Sequence, residues 1–317
     1  MSSLPYFSVV IPTHNRKVKL RITLLSILSQ DFQDFEIIVV DDGGIDKTKE
    51  MIEQLNDSRV LYFKKENSGP LKTRAAGADK AVGTWIAFCD SDDVWHADYL
   101  KNLKYIAEQG FYDCVFSEYQ VDGEEYPRIM KLEAEGFFKG LIKNESGSFY
   151  TLYSEKFFKR LLEIQPIMIS AYAIKKDFYQ KIGGIDKSIS IIGSEDSDLT
   201  LRASALGLTA FNKKCSVIIG RGEDNVSSDY IRNLEGGTDI LIKILDNENL
   251  PLRLSKDIRL AVDRQLLEIA EQYYWKRNLK LAFSNLRKTR LSSGRLIRKV
   301  SLLVKIGVRS SKLTRKI

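Results

Sequence analysis

Trp85-Ile86-Ala87-Phe88-Cys89-Asp90-Ser91-Asp92-Asp93 decides the reading of this chain. An apolar run of strand length gives way, without transition, to three carboxylates within four residues. Trp85 to Phe88 therefore reads as a buried strand that ends in an acidic turn. Working upstream, Phe7-Ser8-Val9-Val10-Ile11, Glu36 to Val40 and Val60 to Phe63 read as three more strands. Helical spacing fills the gaps between them. Lys17 to Gln30 carries Val18, Leu20, Leu24, Leu25 and Leu28. Asp46 to Leu55 forms a second helix with Asp46 as its cap, and Ser68-Gly69-Pro70 opens a third that runs to about Val82. Strands separated by helices predict βαβ units and an α/β fold with a Rossmann-like, mainly parallel sheet.

Downstream the pattern is less regular. Strands are expected at Cys114 to Gln120 and Ile167 to Ile174, with aromatic-rich helical patches around Phe137 to Phe158. Glu195 to Leu206 reads as a helix, with Ser194 as its cap and Gly207 beyond its end. From about Leu234 the pattern is helical throughout, which places a domain boundary near Ser227 to Gly237.

Polar clusters follow the strand ends: Thr13, Asn15 and Arg16, then Asp41 and Asp42, then Asp90 to Asp93. In open parallel sheets ligands bind beyond the carboxyl ends of the strands. The first strand-to-helix turn reads Pro-Thr-His-Asn-Arg, not Gly-x-Gly-x-x-Gly, which argues against a dinucleotide cofactor. Three crowded carboxylates repel one another unless a cation is present, and hard dications take oxygen ligands, often one or two carboxylates plus substrate phosphates. A helix N-cap for the helix near Ala97 accounts for one or two of these acids, not three.

Ser194-Glu195-Asp196-Ser197-Asp198-Leu199-Thr200-Leu201-Arg202 places acids in the first turn of an amphipathic helix. Dipole stabilisation and an Asp198–Arg202 pair at i,i+4 explain part of this. Glu195 or Asp196 is left as a general base for an acceptor hydroxyl. Asp41-Asp42-Gly43 suits an Asx turn, or a carboxylate that accepts from the imide N–H of a pyrimidine. Lys72 and Arg74, at the start of the third helix, suit an anionic or carbonyl-rich ligand. Trp95, Tyr172 and Phe178 fit core packing better than sugar stacking. His14 and His96 fit surface or hydrogen-bonded positions better than metal ligands.

In order, the chain carries a Pro-Thr-x-Asn-Arg turn, an Asp-Asp-Gly turn, an Asn-x-Gly-x-x-x-x-Arg segment, an Asp-x-Asp-Asp motif, a Gly-Gly-Ile-Asp turn at 183–186 and a Glu-Asp-x-Asp helix. Over roughly residues 6 to 230 this resembles the family 2 glycosyltransferases. The resemblance implies a GT-A fold and inverting transfer from a nucleotide-diphosphate sugar, a UDP-sugar above all, to a hydroxyl of a glycan or lipid-linked acceptor. It implies that Pro12, Thr13, Asn15, Arg16, Asp42, Lys72, Arg74, Asp90 and Ser91 line the nucleotide site, with Asp42 on the pyrimidine and Asp90 near the ribose. By the same resemblance Asp92 would bind Mn2+ or Mg2+, and Asp196 would be the catalytic base with Glu195 beside it. Many relatives carry a His after the last helix of the domain. Here Ile219-Gly220-Arg221-Gly222 stands in that place, and Arg221 is the expected substitute contact to the diphosphate.

The 317 residues allow one α/β domain, expected at 1–230, and a helical extension, expected at 231–317. Three unpaired cysteines argue against a disulfide scaffold or structural zinc and suggest a reducing, cytoplasmic setting. The start of the chain has no basic flank or long apolar run, so no signal peptide is expected, nor any membrane span. The net charge is +7, yet from Lys280 onward there are twelve Lys or Arg and no acid, leaving 37 basic against 42 acidic residues elsewhere. The extension, with Leu266, Leu267, Ala270 and Tyr274 on one stripe and mixed apolar and basic residues from Arg295 to Lys312, is expected either to touch the inner face of the plasma membrane or to pack with a solvated basic face. No nucleic-acid partner is expected, since no base-stacking platform accompanies the charge. Three other readings stay open: a sugar-phosphate nucleotidyltransferase, which lacks its Gly-rich loop here; a catalytically silent scaffold; and a membrane-binding module.

Overall fold

The computed structural model describes residues 4–189, 196–221, 229–290 and 296–314. They form two compact units, divided near residue 225.

In the first unit the chain runs β1 (Phe7–Thr13), α1 (Lys17–Leu28), β2 (Phe35–Asp41), α2 (Thr48–Leu55), β3 (Val60–Lys64), α3 (Pro70–Ala78) and β4 (Trp85–Phe88). It continues through β5 (Val94–Trp95), α4 (Tyr99–Glu108), β6 (Cys114–Ser117), β7 (Gln120–Val121), α5 (Arg128–Ala134), β8 (Ile142–Ser146), β9 (Phe149–Leu152) and α6 (Ser154–Leu161). β10 (Tyr172–Lys175), α7 (Lys176–Lys181), α8 (Asp196–Leu206), β11 (Thr209–Asn212) and β12 (Val217–Ile219) complete it. Nine strands make one sheet in the order β3-β2-β1-β4-β10-β6-β11-β9-β8, and β5-β12-β7 make a smaller one.

The fold is α/β, with a large sheet built on a parallel core and flanked by helices. β3, β2, β1 and β4 are parallel, and β10 enters antiparallel between β4 and β6. Every residue of β1 and β4 is buried, as expected for strands covered on both faces. Burial of each Val or Ile contributes about 1.5–3 kcal/mol before chain entropy is counted. The register sets Thr13 beside Asp41 and Asp41 beside Lys64, so the turns after β1, β2 and β4 share one edge. α3 lies unusually close to this core. A Cβ on Gly77 would stand 2.5 Å from Val10 Cγ1, so only glycine fits there.

Several elements differ from expectation. α3 stops at Ala78 rather than Val82. The amide of Val82 is taken by Glu36 Oε1 (2.9 Å) and that of Gly83 by Ser8 Oγ (2.8 Å), so the chain is drawn onto β1 and β2. Asp46 does not cap α2, which begins at Thr48. Its Oδ1 accepts from Thr48 Oγ1 and its Oδ2 from the Lys17 amide, both at 2.7 Å, so it joins the start of α2 to the first turn of α1. The segment 114–120 divides into β6 and β7, which join different sheets. Ile169–Ala171 is a 3-10 turn, and only Tyr172–Lys175 is strand. The aromatic stretch 137–158 contains the β8–β9 hairpin before α6, with Phe149 to Leu152 all buried.

The second unit comprises α9 (Tyr230–Leu245), α10 (Ser255–Trp275), α11 (Leu279–Lys288) and α12 (Leu296–Thr314). Leu267 and Ala270 of α10, Ala282 and Leu286 of α11, and Leu302 and Ile306 of α12 form one buried cluster. Among the described residues no helix is long and apolar enough to cross a membrane.

Candidate active site

The two aspartates after β2 diverge in role. Asp41 accepts from the Gly44 amide (2.7 Å) and from Tyr62 Oη (2.6 Å), so it closes the Asx turn. Asp42 points instead to the start of α3. Its Oδ1 accepts from the Ser68 amide (2.9 Å) and Lys65 Nζ (2.7 Å), and its Oδ2 from the Gly69 amide (2.8 Å). Burial alone would raise this carboxyl. The hydrogen bonds from Lys65, Thr73, Ser68 and Gly69 outweigh burial and hold it below the usual carboxylate range.

Five residues along α3 from Gly69, Arg74 is 3% exposed. It donates from Nη2 to Asp90 Oδ1 and from Nη1 to Asp196 Oδ1, both at 2.6 Å. One guanidinium thus joins α3, the acidic turn after β4 and the first residue of α8.

The acidic turn is fastened from several sides. The Asp90 amide donates to Ser170 Oγ (2.8 Å), and Asp92 Oδ2 accepts from Arg16 Nη1 (2.9 Å) with Lys19 Nζ at 3.8 Å. Asp93 is buried and accepts from the Gly220 amide at 2.7 Å. Burial, then the neighbouring Asp90, push the Asp93 carboxyl up to about 8 against the pull of Ser170 and Gly220. Burial also raises Asp92, with Arg16 and Lys19 only partly offsetting it and Asp90 adding to the rise. Gly220 is required here: a Cβ would lie 2.2 Å from the Asp92 carbonyl oxygen.

These observations bear on a metal. Asp92 is partly buried between Arg16 and Lys19, and a hard dication commonly takes one or two carboxylates with substrate phosphates in its remaining sites. Among the described residues no cluster of three His, Cys, Asp or Glu forms a full protein cage. Asp92 and Asp90 are the carboxylates of this turn that could hold such an ion, one oxygen of each already accepting from an arginine.

The other expected residues fall as follows. Pro12 and Thr13 end β1. Thr13 is 4% exposed, and its buried Oγ1 has no hydrogen-bond partner among the described residues. Asn15 has φ 51° and accepts from the Ile45 amide at 2.8 Å, which ties the first turn to the second. His14 is exposed and hydrogen-bonds the Asp42 carbonyl oxygen at 2.9 Å, and His96 is exposed. Ser91 is buried and Lys72 exposed. Arg221 is exposed and pairs with Glu124 at 2.6 Å rather than with the acidic turn. Glu195 and Ser194 lie outside the described residues. Trp95, Tyr172 and Phe178 are buried core residues. Asp198 and Arg202 form the expected pair, but it is buried, and Arg202 also binds the carbonyls of Ile182 and Gly184 at 2.7 Å each. Sequence reasoning missed Lys65, Lys19 and Ser170, whose partners lie far along the chain.

Comparison with known proteins fits this geometry. The Glycosyl transferase family 2 model matches residues 8–182. The GalNAc(5)-diNAcBac-PP-undecaprenol beta-1,3-glucosyltransferase of Campylobacter jejuni is 31% identical over 270 residues, covering 80% of this chain and 77% of its own. The putative teichuronic acid biosynthesis glycosyltransferase TuaG of Bacillus subtilis is 35% identical over 117 residues, 36% of this chain and 45% of its own. Among solved structures, S. aureus TarS 1-349 in complex with UDP-GlcNAc superimposes with a TM-score of 0.61 at 18% identity, covering 95% of this chain and 80% of that one. Mannosyltransferase PcManGT from Pyrobaculum calidifontis, in complex with GDP-Man and Mn2+, gives 0.57 at 15% identity, with coverage of 95% and 81%. The architecture is that of the GT-A glycosyltransferases. The chain belongs to glycosyl transferase family 2.

Proposed function

We propose that this chain is an inverting, metal-dependent hexosyltransferase that moves a sugar from a UDP-sugar to a hydroxyl of a glycan or lipid-linked acceptor. The observation that carries this reading is the Arg74 bridge. It ties the acidic turn to the start of α8 from α3, the helix just after the Ser68 and Gly69 amides that hold Asp42.

In this reading Asp42, kept ionised, accepts from the uracil imide. Thr13 offers its unspent hydroxyl. Pro12, Asn15, Arg16, Lys72, Arg74, Asp90 and Ser91 complete the nucleotide site. Asp196 takes the proton of the acceptor hydroxyl as that oxygen attacks the anomeric carbon opposite the departing diphosphate, so one displacement inverts the configuration. Glu195 is its neighbour in sequence. Mn2+ or Mg2+ at Asp92 would neutralise charge on the leaving diphosphate, an effect of several kcal/mol. Arg221 could reach that diphosphate only by leaving Glu124.

The name of the Campylobacter relative, which specifies a diphosphate-undecaprenol acceptor, supports the lipid-linked alternative. We assign residues 1–230 to catalysis and 231–317 to an extension that meets an anionic membrane surface on the cytoplasmic side.

The test is a panel of nucleotide sugars, followed by release of the nucleotide diphosphate with and without Mn2+, and by NMR of the glycoside formed. Metal-dependent turnover of one UDP-sugar with an inverted product is expected. Turnover that ignores chelation, or a product of retained configuration, removes the corresponding half of the reading.

A further inference from the structure

α12 is apolar on two opposite faces. One face, Leu302 and Ile306, is buried in the cluster with α10 and α11. At about 100° per residue, Ile297, Val300 and Val304 fall on the other side of the helix, and they are 86%, 48% and 59% exposed. A helix packed on a water-facing unit ordinarily turns its polar face outward. This one places Arg298 and Lys305 to one side of the buried face and Lys299 to the other, with Arg298 paired to Glu271 and Lys299 donating to the Thr289 carbonyl. Arg298, Ser301 and Lys305 line a cavity of about 180 Å³ with Glu271, Tyr274 and Trp275. Trp275 at its rim is 68% exposed. Packing and an outward apolar face therefore coexist, and the packed core does not use the face.

We propose that Ile297, Val300 and Val304 of α12 lie in the headgroup–acyl boundary of an anionic bilayer, with Trp275, exposed by the Arg298–Lys305 flank of the same helix, at its interface. Charge complementarity selects this occupant. The chain from Lys280 onward carries twelve cations and no acid, which favours an anionic lipid surface over a second copy bearing the same charge. Trp at the edge of such a face is suited to the interface, where one side of the ring is wet and the other apolar. The inference rests on the membrane reading of the extension and adds which side chains enter.

The chain has three tryptophans, and Trp85 and Trp95 are buried. Trp275 fluorescence therefore reports contact directly. The full chain is mixed with phosphatidylcholine vesicles containing phosphatidylglycerol, brominated in the acyl chains for quenching. Quenching is expected in the native chain and not in Trp275→Phe. The double variant I297S/V304S should lower vesicle partition by roughly tenfold or more, with donor hydrolysis and thermal unfolding unchanged. Unchanged partition in the double variant, with Trp275 unquenched, overturns the proposal while leaving membrane contact standing. No co-sedimentation with anionic vesicles overturns both. A concentration-dependent dimer in sedimentation velocity that the double variant abolishes also overturns it, because the face would then meet a second copy.

Discussion

Asp90 and Asp196 each accept a 2.6 Å hydrogen bond from the same guanidinium, that of Arg74. The two carboxylates are each about one-third exposed, and the arginine is 3% exposed. Without it both acids would lose a charge-assisted hydrogen bond. Arg74→Ala should therefore cost about 1–3 kcal/mol of stability, less than a fully buried pair because water reaches both acids. Urea unfolding reads this. A midpoint equal to that of the native chain would mean the bridge carries no weight in the folded state.

Asp196→Asn keeps an oxygen that Arg74 can bind and removes the ability to take a proton. Donor affinity by calorimetry should stay near the native value, and single-turnover transfer should fall by about 10²- to 10⁴-fold. Transfer at the native rate would reassign the base.

Asp42 gives a prediction in pH. Its folded carboxyl lies below the ordinary range, so the folded state binds fewer protons than the unfolded chain as pH falls past about 3.9. The stability it contributes is complete above that value and is lost as pH drops through the folded one. Asp42→Asn should flatten the acid limb of the stability curve and weaken binding of UDP. An acid limb that superimposes on the native curve would show that the bonds from Lys65, Ser68 and Gly69 are not felt.

Asp92→Ala should abolish the Mn2+-dependent part of UDP binding in calorimetric titration and leave any metal-independent part. Gly220→Ala probes the same turn from its far side. The added Cβ meets the Asp92 carbonyl oxygen at 2.2 Å, so the backbone must yield, at about 1–3 kcal/mol. Metal-dependent binding should weaken in that variant too, although the carboxylate is retained. Native affinity in both variants would separate the turn from the metal.

Much of this was legible because the deciding strands are unmixed. Phe7 to Ile11, Ile37 to Val40 and Trp85 to Phe88 are buried on both faces, so each announces itself as an apolar run, and the polar residues that follow must lie at the sheet edge. The acidic turn was visible for the same reason, and α8 by the acids of its first turn and Gly207 beyond its end. Only the family resemblance singled out Asp42 over Asp41; the residues alone do not, because their difference depends on Tyr62 and on the Ser68 and Gly69 amides, which no local pattern connects. Lys65 reaches Asp42 across 23 positions. The hairpin at 142–152 was read as helical because Phe149, Tyr150 and Leu152 bury consecutive side chains, which hides the alternation that marks a half-exposed strand.

β12 holds the acidic turn by its downstream end: it pairs with β5, and the next residue, Gly220, binds Asp93. The family match stops at residue 182, before both Asp196 and this strand. A chimera that exchanged residues 8–182 with a relative would carry over the acidic loop but not its clasp. Exchanging the acidic loop together with what holds it takes a second crossover beyond β12, so that this strand travels alongside the loop it secures.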